Sequence, residues 1–566
     1  MVKNLFSKSK NFLFAPQTSV LSAASIIMVM VIASRALGLV RQRVLAHFFV
    51  PSDLSLFFAA FRLPDLVFEV FFFGMFSSAF IPVFTKALKK DGEAWDIAGR
   101  VVSIGLLIFI FIAAVVAFGA EALYSLFTPG FEKDQVHQIA MLARILFAAQ
   151  VFFVVSYVLT GVLESLKRFL IPALAPIFYN LGIILGTIFL SGKLGLLGPA
   201  VGVVLGAILH FSIQLPLAVK LGFRFSLNFK PNKGVKEIGR LALPRVVDLS
   251  FQQVARTVEL GLASIISTAS YTYFYFANSL QLLPVSLFGT SLAKAAFPTL
   301  AAQENDSQAF KNTLYATLYQ IVFFSLPLAT ALIVLRIPLV RLVFGTDIFD
   351  WDATVQTGMV LSAFAGGIVF QAVYPLLARA FYALHDTKTP VAVSLLGISF
   401  MVGGDFLLVK GLGLPVWALA ASFSFALAVQ SLVLFYLLNR KVNNTSFFTA
   451  FLPMAKTVFS STLAGLVMYF LLKFFDRSVW VKRLSFLGKG ALDLPFESFV
   501  IDTRYTFNLL ILTVAVAAVG ALVFLTASFF LKSQELESLI RMVRRKKISS
   551  PPKEPEPITP SASETS

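Results

Sequence analysis

Arg35, Arg41, Arg62, Asp65 and Glu69 fall in one stretch, Ser34 to Phe84, that is apolar enough to cross a bilayer. An arginine at the centre of a spanning helix costs roughly 2.5–3.5 kcal/mol on insertion scales, so it persists where it faces a bundle interior or a wet cavity. A guanidinium never deprotonates, and its planar fork bonds two phosphate oxygens at once. The chemistry open to such a set is holding an anion, with no bond made or broken. Arg35 sits some fourteen residues into the first apolar run, about 21 Å along a helix, and Arg41 about 9 Å further on. Both are too deep to be end anchors, whereas Arg43 beyond them can snorkel. The alternative for each is a structural pair with an acid on a neighbouring helix.

Arg62, Asp65 and Glu69 are spaced i, i+3 and i+7, so they share one helical face. Pro64 between them frees backbone carbonyls and bends the helix. Arg62 and Asp65 can pair on their own helix. Glu69 has no partner there and is expected to answer Arg35 or Arg41 across an interface. A later span carries Arg245, Asp248, Arg256 and Glu259, two i, i+3 pairs about 16 Å apart along the axis. Arg256 is the preferred companion of the first-span arginines. The candidate anion site is therefore Arg35, Arg41, Arg62 and Arg256, with Asp65, Glu69, Arg245, Asp248 and Glu259 as charge-pairing or gating residues. Lys294 reads as an anchor, and the isolated Arg144, Arg379 and Asp405 as structural or gate residues.

Other chemistries lack their residues. No Walker loop occurs, so this chain is not expected to hydrolyse ATP. His47, His137, His210 and His385 share no zinc spacing and read as packing or helix-end residues. With no cysteine in the chain, thiolate ligands, disulfides and Cys nucleophiles are excluded. No Ser-His-Asp order or aspartate-rich polyprenyl motif stands out. The expectation is a protein without catalytic residues, metal or cofactor. The run Phe71-Phe72-Phe73 could line a path for an isoprenoid tail, but packing explains it as well.

The elements that must position these charges are membrane helices. Of 566 residues 58% are hydrophobic and only 13% charged, with a mean hydropathy of +0.84, where a soluble chain carries about 25% charge. Apolar runs of about 20 residues recur from end to end, which makes this an all-α polytopic membrane protein. A β-barrel would alternate over about ten residues and is excluded. Spans are expected near 21–47, 53–88, 97–127, 137–163, 172–191, 197–219, 236–266, 270–300, 310–335, 353–383, 389–409, 415–438, 450–473 and 505–531, fourteen in all. The first is read as a retained span, not a cleaved signal.

Alternate connections hold the lysines and arginines, for example Lys86, Lys89, Lys90 and Arg100, or Lys220, Arg224, Lys230 and Lys233, whereas Phe48–Asp53 and Ser267–Ser270 hold none. The positive-inside rule then puts both termini in the cytoplasm of a bacterium, across its plasma membrane. The net charge of +18 clusters at helix ends, which points to topology and anionic headgroups, not nucleic acid. Glu535 to Lys547 reads as a basic helix on the membrane surface, and the Pro/Ser-rich end beyond Ser549 as disordered.

A duplication is visible. Ser78-Ala79-Phe80-Ile81-Pro82 resembles Ala295-Ala296-Phe297-Pro298, and Phe169-Leu170-Ile171-Pro172 resembles Thr387-Lys388-Thr389-Pro390. Pro82 and Pro298 stand 216 positions apart, Pro172 and Pro390 218. Two six-span units in parallel orientation follow, with a substrate site between them near midplane. The expected organisation is a cytoplasmic segment 1–20, an N-lobe 21–225, a C-lobe 226–445, two further spans with a long external loop over 446–531, and a basic cytoplasmic tail 532–566.

These residues carry a resemblance. Ser34-Arg35-Ala36-Leu37-Gly38 with Arg41, Phe61-Arg62-Leu63-Pro64, Phe76-Ser77-Ser78-Ala79-Phe80-Ile81-Pro82, Thr128-Pro129-Gly130-Phe131, Arg168-Phe169-Leu170-Ile171-Pro172 with Asn180, Gln214-Leu215-Pro216, and Asp386-Thr387-Lys388-Thr389-Pro390 occur in an order that resembles the MurJ (MviN) lipid II flippases. That family lies within the multidrug/oligosaccharidyl-lipid/polysaccharide exporter superfamily. The resemblance implies a two-lobe bundle, a cationic central cavity in which arginines at Arg35 and Arg41 hold the substrate's pyrophosphate, and a groove for the lipid tail formed by the last two helices. It also implies lipid II or a similar polyprenyl-pyrophosphate glycan as partner, with membrane lipids, a monovalent ion and a monomeric state. The chain departs from the pattern: family arginines fall on Phe68 and Ser279, family acids on Ser55 and Phe73. Alternatives are a flippase for another lipid-linked glycan, a cation-coupled exporter of small molecules, whose cavity acids would dominate, and a non-transporting cell-wall scaffold.

Overall fold

A computed structural model describes residues 20–70, 79–89, 92–442, 447–476, 503 and 505–538, without the side chains of 20–27, 243–249 and 447–452. The Phe71-Phe72-Phe73 run, most of the long loop near 474–504 and the tail from 539 lie outside the described residues, as do the side chains of Arg245 and Asp248. Among the described residues the chain is helical with no strand. We number the helices α1 (Val20–Phe48), α2 (Pro51–Ala60), α3 (Arg62–Phe68), α4 (Ile81–Ala87), α5 (Glu93–Phe118), α6 (Ala120–Phe127), α7 (Lys133–Ser165), α8 (Leu170–Leu194), α9 (Leu197–Lys220) and α10 (Lys233–Ile266). Then follow α11 (Ser270–Pro284), a π-turn Val285–Thr290, α12 (Ser291–Ala302), α13 (Ser307–Val334), α14 (Arg336–Phe344), α15 (Trp351–Ala383) and α16 (Lys388–Asp405). A second π-turn, Phe406–Gly411, precedes α17 (Trp417–Lys441), α18 (Phe447–Phe475) and α19 (Thr506–Phe530).

Eleven helices among the described residues are long and apolar enough to cross a membrane. The other three expected spans, near 21–47, 53–88 and 236–266, carry helices over their described residues but are not among those eleven. The span near 53–88 is segmented for reasons the chain spells out. α2 ends at Ala60, and α3 restarts at Arg62 with Pro64 in its first turn, where a missing N–H forfeits no helical bond. A wide turn at Glu69–Val70 follows.

The duplication is written in the element lengths. α7 and α15 both run 33 residues, and each ends in the same motif. Arg168 N–H bonds Leu163 C=O at 2.8 Å, and Asp386 N–H bonds Phe381 C=O at 2.9 Å. Lys167 and His385, one residue earlier in each, take left-handed φ of 58° and 57°. This is the six-to-one closure of a helix C-terminus, satisfying carbonyls that no later turn can reach. Asp386 accepts from Thr389 N–H at 3.0 Å and from Lys441 Nζ at 2.8 Å. Those bonds, the Lys441 one foremost, hold its carboxyl down at about 2. The spans expected near 97–127 and 310–335 correspond as well: the first breaks at Gly119 between α5 and α6, the second at Leu335 between α13 and α14.

Two packing features position the site. α8 and α9 approach so closely that a Cβ on Gly182 would lie 2.3 Å from Gly206 Cα, and one on Gly186 2.4 Å from Gly202 Cα. Small residues at such spacing let membrane helices touch backbone to backbone, and α1 packs on α8 from the other side. At the end carrying the loops after α1, α6, α10 and α14, early and late helices are tied together. Arg43 Nη1 donates to Leu342 O at 2.8 Å and Thr346 Oγ1 to Ala46 O at 2.8 Å. Ser55 and Thr272 hydroxyls meet at 2.9 Å, Thr272 donates to Pro51 O at 2.7 Å, and Gly130 N–H to Ser264 Oγ at 3.1 Å. Arg43 thus caps carbonyls at the C-terminus of α14, where a cation is favoured, and does not merely snorkel. α18 and α19 pack on each other and on α13 and α14.

Candidate functional site

Two chambers lie side by side in the bundle. The first, about 600 Å³, is walled by α1, the cytoplasm-directed end of α7 by the expected topology, the start of α8, and α11. Arg35, Arg41, Gln42, Glu164 and Asn180 line it, with apolar Met30, Val31, Leu282 and Leu283. The second, about 510 Å³, is lined by Arg62 and Asp65 of α3, Arg256 and Glu259 of α10, and Gln371 and Gln430 from later helices. Tyr275, Asn278 and Leu282 of α11 border both. The sequence placed Arg35, Arg41, Arg62 and Arg256 together as one set; the fold divides them between two adjoining spaces.

Within that division the cations are held differently. Neither Arg35 nor Arg41 makes an ion pair among the described residues, and Arg41 Nε is buried without a hydrogen-bond partner there. Arg62 is 6% exposed, donates to Gln253 O at 3.3 Å, and also bonds the Gln253 side-chain carbonyl. The Gln253 amide nitrogen in turn donates to Glu69. Glu69 meets Arg256 at 3.2 Å, so it answers α10 and not the first-span arginines. Asp65 accepts from Gln150 Nε2 at 3.0 Å, and no ion pair joins it to Arg62 among the described residues. Glu259 is 7% exposed at the second chamber, and the fully buried Asp405 lies within its electrostatic reach beside Ser422.

Sequence reasoning missed the neutral partners. Gln253 bridges Arg62 and Glu69, Gln150 holds Asp65, and Gln42 Nε2 donates to Ser279 Oγ at 2.7 Å. The last contact explains what Ser279 does where the family pattern has a cation: it receives an amide from α1. Behind the first chamber, Thr160 donates to Gln214 at 2.8 Å, Gln214 to Ser156 at 2.7 Å, and Ser156 meets His210 Nδ1 at 2.6 Å. His210 is thus a satisfied core histidine. Glu164 adds an acid to the arginine chamber, and Lys294 lies within its electrostatic reach. Arg144 caps Ala117 O at 3.1 Å, away from both chambers, and Arg379 Nη1 is buried without a partner among the described residues. Phe68 packs on Phe153 and Tyr157, and Ser55 belongs to the tie with Thr272. A glutamine or tyrosine in an apolar run carries no periodic signal, so only its charged partners could have drawn attention to it.

This arrangement can bind a divalent or diphosphate anion between two helical groups, with cations that are partly unpaired at rest. The comparisons agree on the kind of molecule. A "Probable lipid II flippase MurJ" of Vibrio cholerae is 29% identical over 468 residues, 78% of this chain and 88% of that one. One of Thermotoga maritima is 27% identical over 395 residues, 69% of this chain and 80% of that one. A solved "Lipid II flippase MurJ, inward closed conformation" superposes with a TM-score of 0.70 at 25% identity, covering 89% of this chain and 98% of that one. A multidrug resistance MATE family transporter shares the fold alone, with a TM-score of 0.62 at 16% identity over 72% of this chain and 94% of that one. A family model for the lipid II flippase MurJ matches residues 44–488, most of the chain and nearly all of the helices that build the two chambers: the chain belongs to that family.

Proposed function

We propose that this chain carries lipid II from the inner to the outer leaflet of the bacterial cytoplasmic membrane by alternating access. The observation behind this reading is the arginine chamber. Arg35 and Arg41 line about 600 Å³ without an ion pair among the described residues, beside a second space lined by Arg62 and Arg256. The headgroup enters sideways, and its diphosphate replaces water around the guanidiniums with charge-assisted, forked bonds. Met30, Val31, Leu282 and Leu283 on the same walls suit an isoprenoid that stays in lipid.

Arg256 is the cation free to move. Its pair with Glu69 is half-exposed, with side chains 49% and 31% accessible, and such pairs are worth about 0–1 kcal/mol. An arriving diphosphate can therefore win it. Arg62, buried and bonded to Gln253, stays as a fixed charge. The lobes 21–225 and 226–445 then rock, the tie at the opposite end opens, and the headgroup leaves to the far side. No bond is broken, so the protein acts without catalytic residues or a cofactor. Returning a cationic cavity is helped by the membrane potential, at about 2.3 kcal/mol per charge per 100 mV, with a monovalent ion as counterpart. Fourteen spans, both termini cytoplasmic, and a monomer complete the proposal.

The test is complementation in cells depleted of their own lipid II flippase. Arg41→Ala at normal protein level is expected to fail, with lipid II accumulating on the inner leaflet, and Arg41→Lys to retain part of the activity. Full rescue by Arg41→Ala would remove this reading. Accumulation of a different lipid-linked glycan when this chain is depleted in its own host would reassign the substrate.

A further inference from the structure

A third cavity lies outside the two charged chambers. It measures about 320 Å³ and is almost wholly apolar, formed between α3 and α6 on one side and α10 with the second π-turn on the other. Along α10 it runs from Val254 to Ile265, about 16 Å at 1.5 Å per residue. That is about half of the 30 Å hydrocarbon core, the depth reached by the chains of one leaflet. Val254, Leu126 and Phe406 are exposed at its opening, at 58%, 72% and 43%. In a membrane protein, apolar side chains exposed along a span meet lipid.

One cation stands at the lip. Lys410 lines the cavity and is exposed. No carboxylate pairs with it among the described residues. It lies near the C-terminal end of its span, on the same side of the bundle as the Ile265 end of α10. The lysine therefore sits at interface level, and the apolar cavity descends from it toward midplane. A π-turn is a wide, uncommon break that recurs at functional sites, and here it turns both Phe406 and Lys410 to the cavity, with Lys410 Nζ 5.5 Å from the Phe406 ring centre.

We propose that this cavity is a resident site for one anionic phospholipid, its phosphate on Lys410 and one acyl chain lying along α10 between the two halves of the molecule. The seat has a consequence for the charged chamber. Thr257 in the cavity wall donates to Gln253 O at 2.9 Å, and Gln253, one turn back along α10, is the residue that fixes Arg62 and Glu69. A chain in the cavity braces that turn of α10 through Thr257, and it wedges α3 and α6 away from the π-turn. The lipid is a structural companion of the transporter, distinct from the translocated one.

The full-length chain is reconstituted in nanodiscs containing phosphatidylglycerol with a photoreactive diazirine in its acyl chain, irradiated, and its adducts mapped by peptide mass spectrometry. Adducts are expected to concentrate on Val254–Ile265 and Leu126–Pro129. Lys410→Glu lowers them about fivefold, the effect of one lysine on an anionic headgroup, while Lys410→Arg keeps them and Val254→Trp blocks them. Labelling of Phe111, Phe118 and Phe189, exposed apolar residues elsewhere, serves as the folding control in every variant. Equal labelling of all these surfaces with no loss in Lys410→Glu would overturn the proposal, leaving a plain annulus. Displacement of the probe by added lipid II would also overturn it, assigning the cavity to the transported lipid. Neither outcome bears on whether Arg41→Ala transports.

Discussion

Arg62 and Arg256 are both cations at membrane depth, yet one is fixed and the other loosely paired, and a neutral residue makes the difference. Gln253 is 1% exposed and gives Arg62 two acceptors, one from its side chain and one from its backbone. A buried guanidinium that loses such a partner bears a desolvation penalty of about 1–3 kcal/mol or more, since the group is charged. Gln253→Ala is therefore expected to lower stability in detergent by at least about 1 kcal/mol, read as the unfolding midpoint. Removing both partners as Arg62→Met with Gln253→Leu should cost less than the two single changes added, because neither is left unpaired. Additive losses would mean that the two residues do not act together. At this scale the charges were legible and their partners were not. An arginine in an apolar run announces itself by its insertion cost; Gln253, Gln150 and Gln42 sit in similar runs at little cost and are found only when the helices are placed.

Among the elements, the α8–α9 pair carries the clearest requirement. Gly186 and Gly202 face each other where no Cβ fits: one added at Gly186 would stand 2.4 Å from Gly202 Cα and 2.8 Å from Gly198 O. Backbone atoms cannot swing aside as a flexible side chain can, so the helices must separate. Overpacking of this kind costs about 1–3 kcal/mol, occasionally more. Gly192, in the same helix, has nothing within 4 Å of its would-be Cβ. Gly186→Ala should thus lower the thermal unfolding midpoint, whereas Gly192→Ala should leave it unchanged or raise it, alanine being favoured over glycine in a helix by about 1 kcal/mol. If Gly186→Ala were as stable as Gly192→Ala, the contact would not hold α8 to α9. The long apolar helices themselves were readable, because about 20 apolar residues leave little else for a membrane chain to do. Their interruptions were less so. Pro64 signalled a bend, and α3 does restart there; Pro338 stands at the same place in α14, third after the break at Leu335, but was not read as a signal, and the break at Gly119 has no proline. The π-turns at Val285–Thr290 and Phe406–Gly411 leave the hydropathy pattern unchanged, which is why a sequence reading runs straight through them.

For the whole molecule, two pairs of prolines displaced by nearly the same number of positions were enough to suggest a duplication, and α7 and α15, equal in length and closed by the same bonds at their C-termini, fit that correspondence. How the halves lean on each other is a different matter, because it depends on contacts between residues hundreds of positions apart that no local pattern encodes. Gln253 and Arg256 meet Arg62 and Glu69 at the second chamber, while one group of those contacts gathers at one end: Arg43 on Leu342, Thr346 on Ala46, and Ser55 on Thr272. Alternating access requires this tie to break once in each cycle, and the chain offers a clean way to ask. It contains no cysteine, so a pair introduced at Ser55 and Thr272 can bond only with itself. The two hydroxyls stand 2.9 Å apart and both residues are fully buried. Sulfur atoms in their place need close only to about 2.05 Å, with Cβ atoms about 3.8 Å apart. The lost hydroxyl bonds are each worth about 1 kcal/mol, too little to unfold a protein of this size. Oxidised Ser55→Cys/Thr272→Cys is expected to bind lipid II but not to deliver it to the outer leaflet, and a reductant should restore delivery. Each single variant under the same oxidant should work throughout, which separates locking from damage. Were the cross-linked protein to keep translocating, the two halves would not need to part at Ser55 and Thr272, and the headgroup would have to leave by another route.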